Sequence, residues 1–433
     1  MKQSRYNHYL EKEEYSYWYN PLYNQFFRVP INVGRKLHEF LLEHNDLRGL
    51  SNTLHQKFIK SKFLIEDDTD ELEIVRKCYQ MAINNKNAFL IILPTLNCNY
   101  KCWYCIQDHI VSRMSEDTMD AVLRHVDYMI NVQKIESLRV DWFGGEPFMY
   151  YRQVVKPLTQ AIIKKCEDAG IPYMTTSTTN AYFLTKEVTK ELGDLKFTSF
   201  QITLDGDREN HDKVKFMNGL DSAFDRALSN IDRILSEHES IYIHLRINYT
   251  QTNLSTKIVD EVCERISVPN RCRVIIMPKR VWQEKPDKNM GDSVDGVVRR
   301  FSQMGFKTQL WSPSNNFMPC YASSKYYKTI NHNGFAVKCT ACNDLYLDRP
   351  RGKITKDGSI EWIDSFEEKN SEASFENEKC LNCSILPACM GLCPRNYRTH
   401  PYGCNYNGQD TSFETLVVSY IDEQYRRMRD NQY

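Results

Sequence analysis

From residue 88 onward, six short apolar runs alternate with helical patterns, and this rhythm constrains the fold more than any other feature of the chain. The runs Phe89–Leu93, Leu138–Phe143, Tyr173–Ser177, Phe200–Asp205, Tyr242–Asn248 and Arg273–Met277 read as buried strands. Between them, Glu116–Val132, Arg152–Asp168, Thr185–Leu192, Ser222–Ser236 and Thr256–Ile266 carry apolar residues at helical spacing. Strands that alternate with helices build a parallel sheet covered by helices. Six such units suit an open, partial (β/α)6 TIM-type barrel as well as a doubly wound sheet. In either case ligands bind at the C-terminal ends of the strands.

The flanks read differently, and divide the chain into segments 1–88, 89–305 and 306–433. In the first, Tyr15–Asn20 and Leu22–Val29 are aromatic-rich and split by an Asn20-Pro21 turn signal, which predicts a hairpin. Val33, Leu37, Phe40 and Leu41 recur at helical spacing. Ser51 can cap a second helix, with Leu54 and Phe58 on one face, and a third covers Asp70–Asn84. A hairpin followed by three helices is the make-up of a winged-helix-like module. A plain packing extension is the blander reading of the same residues. Residues 278–315 form a charged, weakly patterned bridge.

Charge excludes some functions. Lys+Arg and Asp+Glu both number 56, so no basic field exists to hold a nucleic acid. The longest apolar runs are far shorter than a membrane span. The first residues lack the apolar stretch of an export signal, so a cytoplasmic location and no membrane partner are expected. Against this background the 15 cysteines stand out. In a reducing compartment, clustered and odd in number, they point to metal ligation or catalysis rather than disulfides.

The first cluster, Cys98-x3-Cys102-x2-Cys105, follows the first strand of the alternating region. Structural zinc needs a fourth ligand, and only His109 lies nearby. Three thiolates instead suit a four-iron cluster with one iron left open. This motif, with Tyr104 before its last cysteine, resembles the signature of radical S-adenosylmethionine (SAM) enzymes. The resemblance implies that SAM chelates the open iron and is cleaved to a 5′-deoxyadenosyl radical, which takes hydrogen from substrate. Catalytic roles then fall to Cys98, Cys102 and Cys105. Gly144-Gly145-Glu146-Pro147, closing the second strand, looks like the family's GGEP motif, which holds the SAM amino group. By the same resemblance Ser177, Asn180, Asp205, Lys215 and Arg246, at later strand ends, are further SAM contacts. Relatives usually carry Arg where Lys215 stands, and Lys lacks its bidentate fork.

The second constellation is Cys320-x13-Gly334-x4-Cys339, then Cys380-x2-Cys383-x5-Cys389-x3-Cys393-x10-Cys404. It resembles the SPASM domain of radical SAM enzymes that modify peptides, with two auxiliary clusters. That implies one [4Fe-4S] cluster on Cys380, Cys383, Cys389 and Cys404, and another on Cys320, Cys339 and Cys393. Cys342 is the candidate fourth ligand of the latter. Three [4Fe-4S] clusters and SAM are therefore the expected cofactors, with a flavodoxin or ferredoxin as electron donor. Taken alone, Cys380, Cys383, Cys389 and Cys393 also read as a zinc ribbon.

Two substrates compete within this resemblance. Sulfatase-maturing relatives usually begin their barrel near the N-terminus and carry an acidic residue after the second SPASM cysteine. Here 88 residues precede it, and Thr340 follows Cys339. A ribosomally made precursor peptide fits better, its leader held by the N-terminal module through strand addition and its core crosslinked or otherwise modified. From another class stands a non-catalytic iron–sulfur or zinc protein, which would hold metal but make no 5′-deoxyadenosine.

Overall fold

The computed structural model describes residues 1–44, 49, 51–285, 290–308, 318–341, 345, 351–363, 375–391, 393, 404 and 412–430. The chain forms two compact units. One joins Met1–Asn84, Leu310–Lys325 and Lys369–Tyr433, and the other joins Asn85–Gln309 and Tyr326–Glu368.

The first unit opens with strands β1 (Lys2–Gln3), β2 (His8–Lys12), β3 (Tyr15–Asn20) and β4 (Gln25–Pro30). Helices α1 (Ile31–His44) and α2 (Asn52–Lys60), strand β5 (Leu64–Ile65) and helix α3 (Glu71–Ile83) follow. β2, β3 and β4 form an antiparallel sheet, and β1 pairs with β5. The predicted hairpin is thus two-thirds of a three-stranded sheet. Its first strand, HYLEK, is too short and too charged to stand out by alternation. Ser51 and Asp70 cap α2 and α3 as their residue types predict, each side chain accepting a backbone N–H three residues on.

The period of two in β3 makes this sheet two-sided. Tyr17 and Tyr19 pack with Val417, Val418 and Ile421 of a C-terminal helix, Phe413–Asp430. Trp18 points the other way, into Leu37, Leu41, Phe58 and Phe63. The tyrosine-rich ribbon is therefore core on both faces.

In the second unit, strands β6 (Asn87–Ile92), β7 (Ser137–Trp142), β8 (Tyr173–Thr179), β9 (Phe197–Leu204), β10 (Tyr242–Tyr249) and β11 (Val274–Arg280) lie side by side in chain order, all parallel. Helices α4 (Glu116–Asn131), α5 (Lys156–Asp168), α6 (Lys186–Glu191), α7 (Arg208–Val214), α8 (Ala223–Glu237) and α9 (Lys257–Arg265) connect them. Strand order without a reversal, joined by crossovers of one hand, keeps the helices on one face. That excludes the doubly wound alternative and makes the sheet a partial α/β barrel. Past β6, strand β12 (Tyr327–Ile330) adds in parallel, followed by antiparallel β13 (Phe335–Val337), β14 (Gly352–Ile354) and β15 (Ile360–Trp362). The 278–315 bridge is better patterned than its charge suggested. It carries a helix, Met290–Gln303, that buries Val297, Val298 and Phe301.

Register sorts the strand residues. Leu90, Ile92, Val140, Trp142, Phe200, Ile202, Leu245 and Ile247 are buried in the apolar core. The opposite face is largely polar, with Asp141 beside Thr176, Gln201 beside His244, and Thr203 beside Arg246. A polar inner face against an apolar outer one is what a barrel needs to hold a polar ligand.

Candidate active site

The loop after β6 carries the three cysteines. Its turn is set locally: the Cys105 N–H donates to the Cys102 carbonyl at 3.0 Å, and the Tyr100 N–H reaches Cys98 Sγ at 3.4 Å. The three thiols are close enough to raise one another's pKa values, and burial pushes Cys98 up to about 12. Thiols held so close in such surroundings ionise readily only beside a strong positive charge, which bound iron supplies. His109 is half-buried, and its Nε2 lies 3.2 Å from Cys105 Sγ. Among the described residues, no group of three or more His, Cys, Asp or Glu side chains is placed to hold a single metal ion.

The glycine pair locks onto this loop. The Gly145 N–H donates to the Thr95 carbonyl at 3.1 Å, and the Glu146 N–H to that of Asn97 at 2.8 Å. A Cβ on Gly145 would lie 2.0 Å from the Asn97 carbonyl oxygen, and one on Gly144, whose φ is +116°, 2.4 Å from that of Thr95. Both obstacles are backbone and cannot swing aside. Gly145→Ala is therefore expected to displace the cysteine loop, destabilising the fold by about 1–3 kcal/mol and stripping iron from this site. Thermal unfolding and iron analysis of the variant check it.

The Glu146 carboxylate faces inward. Fully buried, it accepts from the Phe148 N–H at 3.1 Å, Thr179 Oγ1 at 2.8 Å and the Asn180 N–H at 2.8 Å. Burial outweighs these donors and lifts its pKa to about 7. Between its ordinary value of 4.5 and about 7 the folded chain then holds a proton that the unfolded chain has lost. Stability of the cofactor-free protein should accordingly fall as pH rises through that window, by up to roughly 3 kcal/mol. Denaturant titrations at several pH values measure this slope, which Glu146→Gln should flatten.

The other predicted contacts separate by face. Ser177 pairs with Trp142 and Phe200 on the core face, where its hydroxyl donates to the Trp142 carbonyl at 2.9 Å. It is turned from the polar inner face. Asn180 reaches the cysteine loop, its Nδ2 2.8 Å from Asn99 Oδ1 and 3.8 Å from Cys98 Sγ. Asp205, Lys215 and Arg246 converge at the ends of β9 and β10. Asp205 pairs with Lys215, accepts from the Tyr104 hydroxyl at 2.6 Å, and from Asn248 Nδ2 at 3.2 Å. Arg246 Nε donates to Asn248 Oδ1 at 2.8 Å. Burial pushes the Asp205 carboxyl up, but Lys215 and His211 overcome it and hold it below the usual carboxylate range. The tyrosine of the cysteine motif is thereby tied to the fourth strand end.

Sequence reasoning missed Tyr104, Asn99 and Gln107 as parts of this network. Gln107 Nε2 donates to the Gly144 carbonyl at 2.9 Å, while its Oε1 and the Asn99 Nδ2 are buried without a hydrogen-bond partner among the described residues. Buried orphans cost about 1–3 kcal/mol each, and a polar ligand seated here would relieve them. The residues present thus fit an iron–sulfur cluster with a polar cofactor beside it.

In the first unit, Cys380, Cys383, Cys389 and Cys404 lie within electrostatic reach of one another; burial pushes Cys380 up to about 11 and Cys389 up to about 12. Cys320 and Cys393 belong to this unit, and Cys339, whose Sγ accepts from the Ala341 N–H at 3.3 Å, to the other. Cys342 lies outside the described residues.

An open α/β barrel with a polar strand-end face and a three-cysteine loop at its first strand end is suited to binding a polar cofactor there. Residues 92–249 match the model of the radical SAM superfamily. It is 21% identical over 347 residues to the Fe-coproporphyrin III synthase of Methanosarcina barkeri (strain Fusaro / DSM 804), covering 71% of this chain and 83% of that protein. Among solved structures it resembles anSMEcpe with bound AdoMet (15% identity, 80% of this chain and all of that one, TM-score 0.56). It also resembles Streptococcus suis SuiB (17% identity, 95% of this chain and all of that one, TM-score 0.52), which has been solved with its precursor peptide SuiA as well. No described helix is long and apolar enough to cross a membrane.

Proposed function

We propose that the protein is a cytoplasmic peptide maturase with two auxiliary iron–sulfur clusters, acting on a ribosomally made precursor. The observation that carries this reading is the reach of the SuiB likeness, which extends over 96% of the chain when SuiB holds its precursor peptide. Cys380, Cys383 and Cys404 within electrostatic reach of Cys389 support a cluster beyond the catalytic one.

Cys98, Cys102 and Cys105 would hold the catalytic cluster. With SAM bound to it, that cluster supplies a 5′-deoxyadenosyl radical able to take hydrogen from a peptide. Gly144 and Gly145 shape the backbone beside it, and Asn180 reaches over Cys98. The Asp205–Lys215 pair anchors Tyr104, and Arg246 presents a cation on the polar face. Cys380, Cys383, Cys389 and Cys404 would hold one auxiliary cluster, and Cys320, Cys339, Cys393 and Cys342 the other. Residues 1–88 would receive the leader, 89–305 perform the chemistry, and 306–433 carry the auxiliary clusters. A flavodoxin or ferredoxin would deliver the electron.

Iron and sulfide after anaerobic reconstitution should each reach about twelve per chain. With SAM and reductant, a precursor encoded beside the gene should stimulate 5′-deoxyadenosine formation and lose hydrogen mass. A leader fragment alone should compete; absence of competition would remove the leader-binding role. Stimulation by a sulfatase peptide instead would favour the formylglycine-forming alternative. Iron without any 5′-deoxyadenosine would leave only a binding protein.

A further inference from the structure

We propose that the Tyr6 hydroxyl is a hydrogen-bond donor to the cluster held by Cys380, Cys383, Cys389 and Cys404, so that the N-terminal segment tunes its reduction potential. This rests on the reading of those cysteines as cluster ligands. It assigns a positioning role to a residue far from them in sequence.

The segment around Tyr6 is fastened on two sides. Toward α3, Ser4 Oγ donates to Glu71 Oε1 at 2.5 Å and the Arg5 N–H to Glu71 Oε2 at 2.8 Å. Toward the cysteine-rich segment, Arg5 Nη2 donates to the Leu381 carbonyl at 2.7 Å, and His8 Nε2 lies 3.1 Å from that of Ser384. These carbonyls bracket Cys383, so residues 5–8 run along the chain that carries it. Tyr6 shares a core with Leu386 and Met390, and Cys380 packs against that same core.

Within this core Tyr6 is wholly buried, and its hydroxyl has no hydrogen-bond partner among the described residues. A ring alone would have filled the space, and leaving a buried hydroxyl without a partner is costly. A phenol is protonated at neutral pH and so offers a donor, here within a core that Cys380 packs against. Cluster sulfur is the acceptor that such a donor lacks. Hydrogen bonds to cluster sulfur raise the reduction potential by drawing charge from it.

The experiment compares the full-length wild type with Tyr6→Phe, both carrying Cys102→Ala to silence the catalytic cluster. The signal of interest is the one that Cys389→Ala removes. With about eight irons retained in both proteins, the potential of that cluster should move negative in Tyr6→Phe. An unchanged potential at equal iron content overturns the proposal. Should Tyr6→Phe fail to hold its cluster, the wild type decides by itself. Its reduced cluster should couple to a proton that exchanges in heavy water, and absence of that coupling overturns the proposal. About four irons in the unmodified protein would instead overturn the cluster reading, and this proposal with it.

Discussion

Replacing Cys102 by Ala is expected to abolish SAM cleavage while leaving about eight of some twelve irons in place. The expectation follows from the separateness of the thiol sets. Cys98, Cys102 and Cys105 meet on one loop of the barrel unit, whereas Cys380, Cys383, Cys389 and Cys404 gather in the other. In the proposed reading these three thiols would be the only protein ligands of the cluster, so removing one would leave it open to loss. Iron analysis and chromatography for 5′-deoxyadenosine read both halves of the result. Persistent cleavage in the variant would contradict the assignment of this loop.

Lys215→Met should destabilise the barrel by about 3–5 kcal/mol, because it strands a buried carboxylate. Asp205 and Lys215 are both almost wholly buried. Burial works against the charge on Lys215, yet Asp205, Tyr104 and Cys102 together raise its pKa well above the ordinary lysine value. The pair is therefore ionised at neutral pH. Removing both charges with Asp205→Asn and Lys215→Met should recover much of the loss, since a neutral amide keeps hydrogen bonds with Tyr104 and Asn248 without needing a cation. Urea denaturation of the two single variants and the double variant measures the coupling. Equal losses in Lys215→Met and the double variant would mean the pair contributes packing rather than charge.

Much of the barrel was legible in the sequence, for a simple reason. Buried strands and amphipathic helices are written in local periodicity, and the six strands lie within three residues of their expected limits. Ser51 and Asp70 mark helix starts because capping is satisfied within four residues. The cysteine motif is equally local, its spacing dictated by the bite of a cluster. β2 was missed because five residues with two exposed charges carry too little alternation, and the Met290–Gln303 helix because charge masked its apolar stripe.

What the sequence could not decide is direction and partnership. Ser177 and Thr176 are neighbours in sequence, yet strand register alone turns one toward the core and the other toward the polar face. Glu146 looked like a ligand for an ammonium, but tertiary contacts give its carboxylate three internal donors. The tyrosines of β3 could have lined a groove until a helix some 400 residues away covered them. Spacing and periodicity by themselves determined the alternating strands and helices and the cysteine loop, because both are encoded within a few turns of chain, whereas strand order decided for the barrel. Which face each side chain presents, and that the first ten residues reach the cysteines near residue 383, only the tertiary structure decided, because those depend on contacts between segments that no local pattern records.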